Sequence, residues 1–390
     1  MHILLIAPQP FYQERGTPIA VDLVLRVLSE RGDTVDVATY HEGADVAYPG
    51  VTLYRISRPL WVRHVPPGFS IKKLTCDIWL FFKVLALIRR RRPDLIHAVE
   101  ESVFLARWLG RRRGIPYVYD MDSSLAGQIV EARPALRVLG RFFQSREAAA
   151  CRDALLVMPV CDALADIARR AGAPRVTLLR DISLLERWTG GAEPELRQQL
   201  SLRGAVFMYV GNLEKYQGLD LMLAGWARAA AVEPEMSLVV AGGTPEHIAY
   251  YRQRAGELGV GASVHFIGPR PVNRLAALLR QADVLVSPRT QGHNTPMKIY
   301  SYLAAGKPVL ATQLPTHTQV LTPAIACLAP PEPAAFAAAM VQLARDPELR
   351  QRLGAAARSA AQAKYSFAAY RATLLAAYAG LEQIVTGRTH

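Results

Sequence analysis

The sequence predicts an α/β protein built as two doubly wound domains in tandem, and three observations predict it. The chain has 390 residues, too many for one ordinary hydrophobic core. Short apolar strands alternate with helical runs of about ten or more residues, the pattern of parallel sheets covered on both faces. The alternation then begins afresh in the second half of the chain.

The elements follow in order. His2–Ala7 and Thr34–Thr39 read as strands, with the amphipathic run Ile19–Arg31 as a helix between them. Asp94–Ala98 and Tyr117–Tyr119 read as two further strands, again separated by a helical run. The segment Arg180–Glu193, leading into Gly190-Gly-Ala-Glu-Pro, marks a boundary between domains at 1–182 and 183–367. The second series then reads Phe207–Val210, the Leu219–Ala231 helix, Leu238–Ala241, Val264–Phe266, a helix to Gln281, Val284–Val286 and Val309–Ala311. A last helical run covers Ala368–Val385.

Composition excludes several classes. With 51% hydrophobic and 20% charged residues the chain is globular. Cys76, Cys151, Cys161 and Cys327 form no C-x-x-C pair and have no His-rich partner segment, which argues against a disulfide framework or zinc site and fits a reducing cytoplasm. The N-terminus lacks a basic start and reads as a strand, not a signal peptide. The longest apolar run, Ile78–Ile88, contains Lys83 and falls well short of the roughly twenty residues that span a bilayer, so it reads as a core helix. No G-x-G-x-x-G follows a strand, which disfavours a nicotinamide or flavin cofactor.

The formal charge is +13 and unevenly placed. Residues 1–180 hold 26 Lys and Arg against 18 Asp and Glu, concentrated in Arg89–Arg92, Arg107, Arg111–Arg113 and the Arg133–Arg152 segment. Such a surplus suits an anionic surface. The run Ser57–Lys73 alternates aromatic and aliphatic residues with positive charge, and its Leu60–Phe69 loop is the membrane candidate. No aromatic-basic motif supports nucleic acid as a partner.

Open α/β sheets bind ligands at the carboxyl ends of their strands, and five segments sit there. In Glu14–Ala20, Gly16 lets backbone approach closely and Thr17 suits a helix cap before Pro18. Tyr209–Gly218 opens the second series with Gly211, Asn212, Lys215 and Gln217. Val240–Thr244 ends a strand on Gly242 and Gly243. In Ser287–Thr312, Asn294 and Thr295 suit N-caps, Pro296 suits a first helical turn, and Gly306 stops the helix. That N-terminus, with Arg289 and Lys298 beside it, is a ready diphosphate site. In the first domain Asp122 follows Asp120 at a strand end, and His97 precedes Glu100 and Glu101. Asp122 can orient a hydroxyl or take its proton, and His97 is the second catalytic candidate.

These segments, most specifically Tyr209–Gly218 and Pro288–Thr312, resemble the retaining glycosyltransferases of family 4 (glycosyl transferases group 1). The resemblance covers the whole chain in its order of elements. It implies the GT-B fold, two Rossmann-like domains facing across a cleft, with the helix at 368–390 packing back on the first. It implies an acceptor-side domain 1–182 and a nucleotide-sugar domain 183–367. The donor diphosphate and nucleotide-sugar would meet Gly16, Thr17, Gly211, Asn212, Lys215, Gly242, Gly243, Arg289, Asn294, Thr295, Met297, Lys298 and Ser301.

The chain departs from the family pattern at informative positions. The Arg and Lys of G-R-x-x-x-x-K-G are here Asn212 and Gln217, leaving Lys215, Arg289 and Lys298 to restore charge. The two glutamates of E-x7-E are replaced, with His293 near the first position and Ser301 at the second. Asp122 stands where many relatives carry His. The implied activity is transfer of a hexose-type sugar from a nucleotide-diphosphate sugar to an acceptor hydroxyl on a lipid or cell-envelope glycan, with retention and without metal or other cofactor. The implied location is the cytoplasm, peripheral on the inner face of the membrane. A nucleotide-sugar epimerase of the same fold, or a non-catalytic glycosyltransferase-like subunit, stays open from the sequence.

Overall fold

The computed structural model describes residues 1–13, 16–66, 70–124, 140–185, 187, 191–292 and 294–387. Glu14, Phe69, Arg133, Gly190 and His293, singled out in the sequence, lie outside the described residues, as do 388–390. The chain divides into two compact units, Met1–Arg180 with Tyr370–His390, and Asp181–Ala369.

The first unit is a parallel sheet of β1 (His2–Ala7), β2 (Thr34–Thr39), β3 (Val51–Arg55), β4 (Leu95–Val99), β5 (Tyr117–Met121) and β6 (Leu156–Pro159), in the order β3-β2-β1-β4-β5-β6. Its helices are α1 (Gly16–Glu30), α2 (Ile71–Arg90), α3 (Ser102–Arg113), α4 (Gly140–Asp153) and α5 (Asp162–Arg170). Strand order reverses between β1 and β4, so the loops after these two strands diverge there. Leu4, Ile6, Ile96, Ala98, Tyr117 and Tyr119 face one core with α2 and α3, while their strand neighbours Leu5, His97 and Asp120 are buried too.

The second unit holds α6 (Leu196–Gln199), β7 (Val206–Val210), α7 (Leu219–Ala230), β8 (Ser237–Ala241), α8 (Pro245–Glu257), β9 (Val264–Gly268), α9 (Leu275–Arg280) and β10 (Val284–Ser287). It continues with α10 (Met297–Ala304), β11 (Val309–Thr312), α11 (Pro315–Thr318), β12 (Cys327–Ala329), α12 (Pro333–Arg345) and α13 (Pro347–Lys364). The sheet order is β12-β11-β10-β7-β8-β9, all parallel, with the reversal between β7 and β10. Alternate residues supply two separate cores: Phe207, Tyr209, Leu238, Val240 and Val286 on one face, Met208, Val239, Ala241, Leu285 and Ala311 on the other. That is the period of two expected of strands buried on both sides.

The structure adds three strands that the sequence reading lacks. All are edge elements: β3 is half-exposed, β6 ends on Pro159, and β12 has three residues. β3 lacks the unbroken apolar run of a buried strand, and β6 and β12, with four and three residues, are too short to give one. Helix α1 starts at Gly16 and not near Ile19, so Thr17 and Pro18 lie inside its first turn and Thr17 is not its cap. The run Ile78–Ile88 belongs to the longer α2, of which only Cys76, Leu80, Val84, Leu87 and Ile88 are buried. Among the described residues no helix is long and apolar enough to cross a membrane.

The last helix, α14 (Phe367–Thr386), returns to the first unit and is fastened there by a buried polar contact. The Tyr378 hydroxyl lies 2.6 Å from Nδ1 of His97, and the two rings stack. Arg371 reaches Glu30 at 2.7 Å, and Arg31 pairs with Glu382. Tyr378→Phe strands a buried imidazole nitrogen and should lower unfolding stability by about 1–3 kcal/mol in a urea titration. An unchanged midpoint would show that this bond does not hold the helix.

Candidate functional site

In the second unit the loops at the carboxyl ends of β7, β8, β10 and β11 converge on the strand-order reversal. Glycine makes this approach feasible. A Cβ on Gly211 would lie 2.6 Å from Nζ of Lys298, and one on Gly242 would strike the carbonyl of Gly211. Gly218, at φ +77°, lets the β7 loop turn against the carbonyl of Pro288, and Thr290 N–H donates to Tyr216 O at 3.0 Å. Gly243 lies against Leu213, so these glycines are required by the fold itself. Gly16 in the first unit is different: it is helical, exposed and has nothing within 4 Å of where a Cβ would stand.

Two cations occupy the reversal. Lys298 Nζ lies 3.9 Å from the centroid of the Tyr209 ring and donates to Oε1 of Gln217 at 3.2 Å. Arg289 lies 5.3 Å over the Tyr216 ring and donates from Nε to Gln291 O at 2.6 Å. Among the described residues no carboxylate pairs with either. Burial, reinforced by Arg289, holds the Lys298 ammonium well below the usual lysine range, and burial also lowers Arg289. Two amides are close by: the Asn212 side chain donates to Tyr216 OH at 3.2 Å, and Gln217 is the buried acceptor of Lys298. Lys215 is exposed at the start of a short 3-10 turn.

Helix α10 begins one residue later than its sequence suggests. Pro296 occupies the cap position, extended at φ −62° and ψ 133°, and no side chain caps the helix. Thr295 therefore does not cap it; its hydroxyl is buried without a hydrogen-bond partner. The Asn294 carbonyl accepts from Thr316 Oγ1 at 2.7 Å. Met297 and Ser301 are half-buried on the first turns of the helix, and Gly306 ends it at φ +68°, as its sequence predicts.

Beneath the loop lies a group that sequence reasoning missed. His317 is fully buried, with Nε2 2.9 Å from Ser287 Oγ and Nδ1 2.9 Å from Thr312 Oγ1. Thr312 Oγ1 donates to the Arg289 carbonyl at 2.6 Å, so its oxygen accepts from Nδ1–H and Nε2 accepts from Ser287. Burial pushes the imidazole down to about 4, which keeps it neutral. His317 thereby ties β10 and β11 to the backbone of Arg289. A lone histidine in Pro-Thr-His-Thr carries no sequence signal for this.

In the first unit the strand ends are acidic. Glu100, in the left-handed region at φ +48°, accepts from Ser123 Oγ at 3.2 Å, and burial lifts its carboxyl to about 7. Glu101 pairs with Lys73, and Tyr40 donates to Asp77. Asp122 is half-buried just past the end of β5. His97, expected at the chemistry, is instead fully interior. Its Nε2 is 3.1 Å from Asp120 Oδ2 and its Nδ1 meets Tyr378, so both nitrogens are occupied below the surface. Among the described residues no three His, Cys, Asp or Glu side chains are arranged to hold a metal ion.

Comparison with known proteins fits this geometry. Residues 193–360 match the model of the glycosyl transferases group 1, and residues 15–180 match the glycosyl transferase 4-like domain. The chain is a glycosyltransferase of family 4. It is 27% identical over 93% of its length, and 90% of the relative's, to a D-inositol 3-phosphate glycosyltransferase of Kribbella flavida. Sucrose-phosphate synthase from Thermosynechococcus elongatus superposes with a TM-score of 0.78 at 21% identity, covering 98% of this chain and 99% of that one. HepE from Anabaena, in complex with UDP, gives a TM-score of 0.74 at 16% identity, covering 97% of this chain and 100% of that one. The fold of the glycosyltransferase is thus GT-B, as the sequence implies.

Asp77 gives a pH test of the polar cluster in this glycosyltransferase. Burial lifts its carboxyl to about 7, so folding favours the protonated form. That stabilisation is complete below the ordinary aspartate value and is lost as pH rises through about 7. Asp77→Asn keeps the neutral form at every pH. Its melting temperature should gain on the native chain from about pH 4 to 7 and hold a constant offset above. A pH-independent difference would refute the shifted carboxyl.

Proposed function

We propose that the chain moves a hexose-type sugar from a nucleotide-diphosphate sugar to an acceptor hydroxyl, with retention and without a metal. The observation that carries this is the pair Lys298 and Arg289, held beside the start of α10 with no carboxylate partner among the described residues. A diphosphate supplies the charge they lack, and charge-assisted contacts to phosphate are strong ones. The backbone N–H groups of Met297 and Lys298 add the helix N-terminus. The buried, unpartnered Thr295 hydroxyl stands beside them. Gly211, Asn212, Gly242 and Gly243 line the adjoining loops, and Ser301 offers a hydroxyl to the ribose. The D-inositol 3-phosphate glycosyltransferases and UDP-bound HepE support this reading.

In the mechanism, the cations and helix terminus stabilise negative charge as it grows on the departing diphosphate. An oxocarbenium-like centre forms at the sugar, and the leaving phosphate takes the acceptor proton on the same face, giving retention. Asp122 orients the acceptor hydroxyl. His97 acts one layer below, fixing Asp120 and the end of β5. Gly16 and Thr17 belong to the donor side of the first unit in this reading. Lys215 is a mobile charge at the rim. The acceptor is a lipid or cell-envelope glycan, and the protein is peripheral on the inner face of the membrane.

The test is a donor screen across UDP-, GDP- and ADP-sugars, scored for binding and for release of free sugar. At least one donor should be bound and slowly hydrolysed; binding of none would sink the proposal. Lys298→Ala should weaken that donor by roughly 10–100-fold, the worth of one charged contact. Unchanged affinity would remove Lys298 from the site.

A further inference from the structure

Helix α2 is apolar on two opposite sides. Cys76, Leu80, Val84 and Leu87 form the stripe that packs on the sheet. Ile71, Leu74, Ile78 and Phe82, spaced by three or four residues on the opposite side, are exposed, Ile71 by 72% and Phe82 by 63%. Core packing accounts for the first stripe and leaves the second without a partner among the described residues. Trp79 extends the exposed side, and Phe81 joins it to Trp108 of α3 at 5.6 Å between ring centroids. Leu60, fully exposed, and Trp61 precede the helix. Of the large exposed apolar side chains among the described residues, only Val232 and Tyr250 lie in the second unit. Scattered surface leucines are ordinary, but a continuous face of this kind marks an interaction surface.

Charge identifies the occupant. From Ile71 to Arg113 there are eleven Lys and Arg against four Asp and Glu. All four acids are engaged inside the unit, Asp77 with Tyr40, Glu101 with Lys73, Asp94 with the His2 backbone and Glu100 with Ser123, while Arg107 and Arg111 pair with Asp153. Both helices end in exposed arginines, Arg89–Arg92 and Arg111–Arg113. Arg112 sits over Trp108 at 5.6 Å, and Arg146 over Phe142 at 4.9 Å, cation beside exposed aromatic. An apolar face rimmed by cations, with tryptophans at the boundary, matches the acyl–headgroup zone of an anionic bilayer.

We infer that the outer face of α2, continued by Trp108 of α3, is a docking surface for an anionic lipid membrane. The helix lies along the surface, with Ile71, Leu74, Ile78 and Phe82 among the acyl chains and the arginine ends at the headgroups. This deepens the peripheral location proposed above by naming the face and the lipid charge. It moves the contact from the loop at Leu60–Phe69, which the sequence favoured, to a helix that the sequence reads as core.

The experiment is co-sedimentation of the full chain with vesicles of phosphatidylcholine, with and without phosphatidylglycerol, at low and high salt. Binding should require phosphatidylglycerol and weaken with salt. The triple variant Ile78→Ser, Trp79→Ser, Phe82→Ser should bind at least about tenfold more weakly. Arg89→Glu with Arg90→Glu should also bind more weakly and lose much of the salt dependence; being fully at the surface, it serves if the triple variant misfolds. No pelleting at low salt, or unchanged binding by a folded variant, would overturn the inference. So would a dimer in sedimentation velocity that the triple variant abolishes and vesicles do not displace. Donor binding measured on the same preparations separates this outcome from the catalytic proposal, because each can fail alone.

Discussion

The arrangement of the second unit turns on an ammonium group held, among the described residues, without a carboxylate partner. Lys298 is placed on the first turn of α10, where its side chain meets an aromatic face, one amide oxygen and another cation. Desolvating a cation without a counter-charge costs stability, and its depressed proton affinity is the sign of that cost. The surrounding parts make sense as means of holding it there. Gly211 leaves room for Nζ, Gly242 leaves room for Gly211, and Tyr302 exchanges hydrogen bonds with the Val210 backbone just before the turn. A sheet optimised for stability alone would pair or remove the charge; one that binds a dianion has reason to keep it.

A buried imidazole underlies each set of strand ends. His317 links Ser287 and Thr312 and so fixes the backbone of Arg289. His97 links Asp120 to Tyr378 and so fixes β5 against α14. In both places the two ring nitrogens cross-brace strand ends: His317 adds side-chain bonds to the paired strands β10 and β11, and His97 fastens α14 to the β4–β5 pair. The two units differ in sign at the level above. The second presents cations, and the first presents carboxylates with Lys73 among them.

The central strands were legible because residues buried on both faces form unbroken apolar runs, as in Leu285 and Val286. The switch-point loops were legible through their glycines and through Pro296, whose constraints are local. What stayed hidden depends on contacts across the fold. Thr295 next to Pro296 looks like a cap in sequence, yet the helix starts beyond both, and nothing within the segment fixes that register. His97 looks exposed at a strand end until Tyr378, contributed from the far end of the chain, covers it. Periodicity also finds one apolar stripe on α2 and assigns it to the core; only burial distinguishes Leu80 from Phe82.

The departures at Asn212 and Gln217 are physically linked to Lys298. Gln217 is buried, and its Oε1 is the hydrogen-bond acceptor for Nζ at 3.2 Å. A lysine at 217 would place a second ammonium against the first, in a setting already poor in water and next to Arg289. Like charges at that range repel by several kcal/mol at an effective dielectric of about 20. Glutamine replaces the repulsion with a hydrogen bond that also aims the remaining ammonium. At position 212 the short amide reaches Tyr216, the ring on which Arg289 lies, so Asn212 steadies a cation that comes from another strand. Positive charge at the strand-order reversal is thus carried by Arg289 of the β10 loop and Lys298 of α10, with the amides of Asn212 and Gln217 beside them. In the proposed reading, this is the charge that meets the donor diphosphate.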